Sequence, residues 1–293
     1  MAQEIIGQGG IVFGAEFDND FSVRQNWTDC IEGIDNFRGS KYLQSRTEDT
    51  FIQCRKFLEE GRKVLYTGTP CQIAGLKSFI KKDYDNLYTV DLICHGVPGP
   101  KLWQKYIKYR EVLSASRTVK TAFRRKDDGW KLYSLSFTFV NDSEYRQPLT
   151  VDKYMQLFLH DNTLRESCYQ CPFRGDSHKA DLTLADFWGV DKILSEMFDD
   201  KGCSLVIIQN PKGQKLFNVV KNQCRVAEVD FSKSIESNTA YYQNKKRPDQ
   251  REYFYKDFDK KTIDFLYKKY GRTSLIRKCA SYAKRTILKW IKN

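Results

Sequence analysis

Four cysteines are set apart from the other five by their surroundings. Cys71 stands in Gly-Thr-Pro-Cys-Gln, a turn that feeds the first turn of a helix. Cys94 stands in Cys-His-Gly-Val-Pro-Gly-Pro at a strand end, and Cys168 and Cys171 form Cys-Tyr-Gln-Cys-Pro. Breaker-rich turns free a side chain from the packing, so these thiols can converge on one point. Four thiolates are the ligand set of a 4Fe–4S cubane. They also suit structural zinc, with His95 beside Cys94 as an alternative ligand. Typical zinc modules pair two close-spaced knuckles, and this chain has one, which tilts the balance toward iron and sulfur. A helix start at Cys71 would lower its thiol pKa and aim N–H groups at a sulfur. Cys54 occupies an apolar helix position, and Cys30, Cys203, Cys224 and Cys279 have ordinary neighbours, so these five are expected to be small buried hydrophobes.

Other groups carry weaker chemistry. Gly39-Ser40-Lys41-Tyr42 offers a turn, a hydroxyl and a cation, which alone describes an ordinary loop with a solvated lysine. Thr67-Gly68-Thr69, ahead of Pro70, can present backbone N–H groups to a phosphate at a helix start. No GxGxxG or Walker pattern reinforces it. Arg124-Arg125-Lys126 suits a pyrophosphate clamp or an acidic carrier, and equally a solvated strand end. Asp181 and Asp186 bracket a strand and suit turn or capping roles better than acid–base work. His160 and His178 have no evident partner in the sequence.

The elements that must position these residues alternate between strand and helix. Gly9–Phe17 and Phe21–Trp27 are two strands around an Asp-Asn-Asp turn. Apolar residues at 51, 54, 57 and 58 predict a helix over 47–60, ended by Gly61. Lys63–Thr67 is a short buried strand, followed by a helix over 71–80. Leu87–Cys94 is the next strand, and Lys101–Leu113 the next helix. This rhythm predicts a mixed α/β sheet with functional turns at its strand ends. Strands follow at 118–124 and 131–140. In the second, Ser134, Ser136 and Thr138 alternate with Leu135, Phe137 and Phe139, the pattern of a partly exposed antiparallel segment. A helix over 151–164, a strand over 205–209 and a helix over 213–222 complete the body.

At the cysteine turns the chain becomes recognisable. Residues 67–76 (Thr-Gly-Thr-Pro-Cys-Gln-Ile-Ala-Gly-Leu), 91–98 (Asp-Leu-Ile-Cys-His-Gly-Val-Pro), 39–45 (Gly-Ser-Lys-Tyr-Leu-Gln-Ser) and 180–189 (Ala-Asp-Leu-Thr-Leu-Ala-Asp-Phe-Trp-Gly) resemble the coenzyme F420 hydrogenase/dehydrogenase beta-subunit family, over roughly residues 9 to 220. The resemblance implies a flavin- and iron–sulfur-containing oxidoreductase subunit, in which FAD trades a hydride with a two-electron carrier and single electrons pass to a 4Fe–4S cluster. It matches Cys71, Cys94, Cys168 and Cys171 to the family's cluster cysteines. It places Ser40, Lys41 and the turn Thr67, Gly68, Thr69 and Pro70 near the flavin, where Lys41 would offset an anionic reduced ring. Deazaflavin, NAD(P)H, ferredoxin or another flavoprotein are the electron partners it implies, and relatives accompany enzymes of surface-polysaccharide biosynthesis. Two departures stand out. The ferredoxin-like module of many bacterial relatives is absent and the chain starts inside the family's first helix, which predicts a shortened flavin pocket. Ala185 also replaces a frequent Gly.

Composition sets the bounds. The 293 residues are 41% hydrophobic and 14% aromatic, enough for a large core and incompatible with global disorder. No apolar run reaches a membrane span and the N-terminus lacks an export signal, so a cytoplasmic, reducing setting is expected. The net charge of +12 is concentrated at one end: residues 242–293 hold 16 Lys and Arg against 5 Asp and Glu, leaving +1 for residues 1–241. The body therefore lacks the basic footprint of a nucleic-acid-binding core. One main domain over 1–241 with a basic helical tail over 242–293 is expected. Within the tail, residues 274–293 form a basic amphipathic pattern suited to an anionic membrane surface or an acidic partner subunit, or to packing on the domain. The alternative to a redox enzyme is a truncated, non-catalytic partner or scaffold with a structural metal, docking through that tail.

Overall fold

The computed structural model describes residues 1–272. After a short helix α1 (Ala2–Gly7), the chain lays down β1 (Ile11–Phe17), β2 (Val23–Thr28), helix α2 (Ile34–Phe37), β3 (Ser45–Arg46), α3 (Thr50–Glu59), β4 (Val64–Thr67), α4 (Pro70–Ile80), β5 (Leu87–Leu92) and α5 (Pro100–Ser114). It then leaves for a second sheet, β6 (Thr118–Arg125), β7 (Ser134–Phe139) and β8 (Glu144–Pro148), followed by α6 (Lys153–Leu159). It returns with β9 (Leu182–Asp186), α7 (Val190–Ile193), β10 (Ser204–Ile208), α8 (Pro211–Lys221) and α9 (Phe231–Ile235), and ends with α10 (Arg251–Phe258) and α11 (Ile263–Tyr270). The larger sheet has the order β10-β9-β5-β4-β1-β2-β3, with β1, β4, β5 and β9 parallel. The architecture is mixed α/β, as the alternating pattern predicts.

Strand alternation builds the two faces of this sheet. Ile11, Phe13, Val64 and Tyr66 point into a core shared with Cys54, Phe57 and Leu58 of α3 and Ile73 and Leu76 of α4. Val12, Leu65, Val90 and Leu182 point the other way, against Ile5 of α1 and Leu216 of α8. Helices therefore cover both faces, and β4 can be apolar throughout. The third core is aromatic. Trp103 and Tyr106 of α5, Phe123 of β6, Phe137 of β7, and Tyr154 and Phe158 of α6 pack with Phe254, Leu266 and Tyr270 of the two last helices.

Several expectations need correction. Ser134 and Ser136 of β7 are buried, 0% and 4% exposed, so the strand is covered on both faces. β7 is the central strand of its sheet, and alternation in a sequence reports polarity rather than cover. The helix expected over 151–164 runs only from Lys153 to Leu159. Asp152 caps it by accepting from Met155 N, and Asp161, with a left-handed φ of 63°, keeps the helix from continuing. Cys54 is buried as expected, whereas Cys30 and Cys224 are exposed and Cys203 is half-buried. Cys279 and the amphipathic segment 274–293 lie outside the described residues. Among the described residues no helix is long and apolar enough to cross a membrane.

Asp181 locks α8 to the sheet from a buried position. Its carboxylate accepts from Thr89 N and Thr89 Oγ1, both at 2.7 Å, and from Asn210 Nδ2 at 2.9 Å. Its carbonyl lies so close to Gly213 that an added Cβ would stand 1.9 Å from the oxygen. Gly213→Ala is therefore expected to cost about 1–3 kcal/mol through overpacking against rigid backbone. Urea unfolding measures it, and an unchanged midpoint would refute the close approach.

Candidate functional site

The register of β4 on β5 sets Thr67 opposite Val90 in parallel strands, so the turns that follow leave the same sheet edge side by side. On the first turn, Thr69 and Gln72 form a reciprocal capping box and Pro70 is the first residue of α4. That start leaves Cys71 exposed in the first helical turn, with Thr69 Oγ1 at 3.2 Å from its Sγ. Cys94 lies two residues beyond β5. The segment after it is pinned against the one before Cys168: Pro98 bridges Leu164, Arg165 N donates to Val97 O at 2.9 Å, and Gly99 N donates to Thr163 O at 3.2 Å. Gly96, with a φ of +127°, permits the approach, since a Cβ there would meet Leu164 Cδ1 at 2.9 Å and Cys168 Cβ at 3.4 Å.

The thiols feel one another. Burial pushes the Cys94 thiol up to about 12, opposed by a hydrogen bond with the Gly96 backbone and by the Arg174 charge, and reinforced by Cys71 and Cys168. Burial also raises Cys168, opposed by the Val97 backbone and by Arg165, and reinforced by Cys71 and Cys171. Each of the four is thus within electrostatic reach of at least one other. Among the described residues no group of three or more His, Cys, Asp or Glu is arranged to hold a metal ion. The donor set, thiols on turns that pack against one another at Gly96 and beside the start of α4, is of the kind that an iron–sulfur cluster or a structural zinc takes.

The other expected site residues are placed as follows. Thr67 Oγ1 donates to Phe13 O at 2.8 Å, Gly68 N donates to Val90 O at 3.1 Å, and Thr69 N donates to Gln72 Oε1 at 2.9 Å. Ser40 hydrogen-bonds Tyr42, which in turn meets Tyr133. The Lys41 ammonium donates to the carbonyls of Phe37, Arg38 and Gly39 at the end of α2, and desolvation lowers it to about 8. Two contacts bring this loop to the same edge: Gln72 Nε2 donates to Ser45 Oγ at 2.8 Å, and Gln44 N to Pro98 O at 3.1 Å.

Sequence reasoning missed the long-range polar partners. His178, without an evident partner in the sequence, is buried with Nδ1 2.7 Å from Asp91 Oδ2, while Thr183 Oγ1 donates to Asp91 Oδ1. His160 Nδ1 lies 2.8 Å from Gln156 O. His95 Nε2 is 2.6 Å from Asp161 Oδ1. Asp186 does more than end β9: it accepts from Arg124 Nη1 at 2.5 Å and from Trp130 Nε1 at 3.1 Å, joining the two sheets. Arg125 is engaged by Asp127 and Glu144. These pairs are mostly tens of residues apart in the chain, so no local pattern announces them.

The accessibility of the thiols has a direct consequence. In chelator-treated protein, exposed Cys71 is expected to take up iodoacetamide readily near about pH 8, with Cys54 and Cys94 left intact. A thiol held at about 12 exposes more thiolate only as pH rises, so Cys94 labelling should climb through about pH 10–11. Peptide mass spectrometry reads each site, and Cys94 labelling as fast as Cys71 at the lower pH would contradict the geometry.

Residues 61–234 match the family model that describes the C terminus of the beta subunit in coenzyme F420 hydrogenase/dehydrogenase. A chain from a xenon-derivatized structure of the F420-reducing NiFe hydrogenase complex from Methanosarcina barkeri shares the fold. It is 16% identical with a TM-score of 0.50, and the match covers 80% of this chain and 79% of that one. No curated protein matches.

Proposed function

The chain belongs to the coenzyme F420 hydrogenase/dehydrogenase beta-subunit family, and we propose that it works as an iron–sulfur flavoprotein subunit that moves electrons between a two-electron carrier and a protein partner. Cys71, Cys94, Cys168 and Cys171 would hold a 4Fe–4S cluster. Ser40, Lys41 and the Thr67–Pro70 turn would lie along FAD. The carrier would be a deazaflavin or NAD(P)H, with a ferredoxin or a partner subunit on the one-electron side. The solved relative comes from a hydrogenase complex, which favours a partner subunit. When bound, the cluster and flavin supply the one- and two-electron chemistry that amino acids lack.

The observation that supports this reading is the packing of the Cys168 segment on the Cys94 turn at Gly96, beside the turn that carries Cys71. The protein's own contribution is electrostatic. Hydrogen bonds with the Gly96 and Val97 backbones and the nearby charges of Arg174 and Arg165 favour the thiolate forms that burial opposes. Lys41, lowered to about 8, remains mostly cationic at neutral pH. It can therefore offset negative charge on a neighbouring ring, at the cost of its carbonyl contacts. His95, fixed by Asp161, fills the turn after Cys94.

Anaerobic reconstitution tests the assignment. Wild type is expected to bind about four iron and four sulfide per chain, with one flavin released on acid denaturation. Cys168→Ser should lose most of the iron, whereas Cys224→Ser, at an exposed site away from the turns, should keep it. Full iron in Cys168→Ser would remove the ligand assignment. A colourless protein that takes up zinc and no flavin would support the scaffold alternative instead.

A further inference from the structure

Beyond the backbone contacts that pin the Cys94 turn ahead of Cys168, one arginine links that turn to the Cys171 side. Arg174, three residues beyond Cys171, turns back so that Nη1 donates to the carbonyls of Cys94 and Ala240, while Nη2 reaches His95 O at 3.5 Å. Its Nε donates to Asn244 Oδ1 at 3.1 Å, and Asn244 Nδ2 donates in turn to Cys171 O at 3.2 Å. A planar guanidinium with five fixed donors can span several carbonyls in this way; a lysine ammonium, a single point of charge, cannot. Arg174 is half-buried, so its charge is less screened than that of Arg165, which is exposed.

We propose that Arg174 is a positioning residue for the four-thiol centre, fixing the Cys94 turn relative to the Cys171 turn and placing one permanent positive charge on the Cys94 side of it. The inference rests on the reading that those cysteines hold an iron–sulfur cluster. A cluster that takes up one electron becomes one unit more negative, so a fixed cation nearby favours the reduced form and raises the reduction potential. The fork and the charge are separable functions, because lysine keeps the second and loses the first.

Iron and sulfide analysis and a dye-mediated redox titration of the anaerobically purified chain test both functions. Arg174→Gln should make reduction about tenfold less favourable, a drop of about 59 mV for one electron. Arg174→Lys should keep a potential near that of wild type but bind less iron. Arg165→Gln removes an equal charge from an exposed position, so its shift should be smaller and fade with added salt. Asn244→Ala cuts only the link to Cys171 and sits at the surface, so it should fold normally yet lose iron more readily to a chelator. If Arg174→Gln fails to fold, the Arg174→Lys and Asn244→Ala results decide. Full, chelator-resistant iron in both overturns the positioning role, and a wild-type potential in Arg174→Gln overturns the electrostatic one. Wild type without iron sinks the cluster reading and this inference together, whereas iron-loaded wild type with unaltered variants sinks the inference alone.

Discussion

The parallel pairing of β4 with β5 is the constraint on which the rest of the molecule depends. Thr67 opposite Val90 brings two turns to one edge, and each turn carries a cysteine. A slip of one residue would move Leu65 into the space of Tyr66 and reverse every side chain of the strand. That error is forbidden by burial on both sides: Tyr66 fits against Phe13 and α3, and Leu65 against α1 and α8. Chemistry at the edge therefore inherits its precision from packing in the middle. Asp181 adds a polar lock, holding Thr89 of β5 and the start of α8 from one buried carboxylate.

The edge itself is built against the preference of its own groups. Burial favours protonated Cys94 and Cys168 and so works against their thiolate forms. The fold opposes that tendency with short-range donors and charges instead of opening the site to water. Gly96 is central to the arrangement. Its lack of a side chain allows the Cys94 turn to lie on Leu164 and Cys168, and its left-handed backbone turns the chain there. The price is a site assembled from loops, which depend on clamps such as Arg174 for their shape.

Much of the fold was legible in the sequence because local signals and global structure agree. Pro70 at the head of α4 and the apolar run of β4 place Cys71 at the helix start, the apolar spacing finds α3 although it starts three residues later than expected, and α5 spans one residue more than 101–113 at each end. The hidden features depend on partners far along the chain. His178 meets Asp91 across 87 residues, and Arg174 reaches Cys94 across 80. The cover over Ser134 and Ser136 was equally invisible, because a hydroxyl looks the same in a sequence whether water or protein faces it. Exposure of Cys30 and Cys224 belongs to the same class.

The aromatic core around Trp103 has an unusual order of assembly. Its walls, α5, β6, β7 and α6, leave the ribosome long before α10 and α11 supply Phe254, Leu266 and Tyr270. Until that late segment emerges, rings that end up fully enclosed lack part of their cover and must be shielded by other means during synthesis. A premature stop codon near position 250 would release a molecule with its cysteine edge already encoded but its largest aromatic cluster open. Cellular quality control would recognise such a product by its greasy surface, whatever its cysteines could still bind.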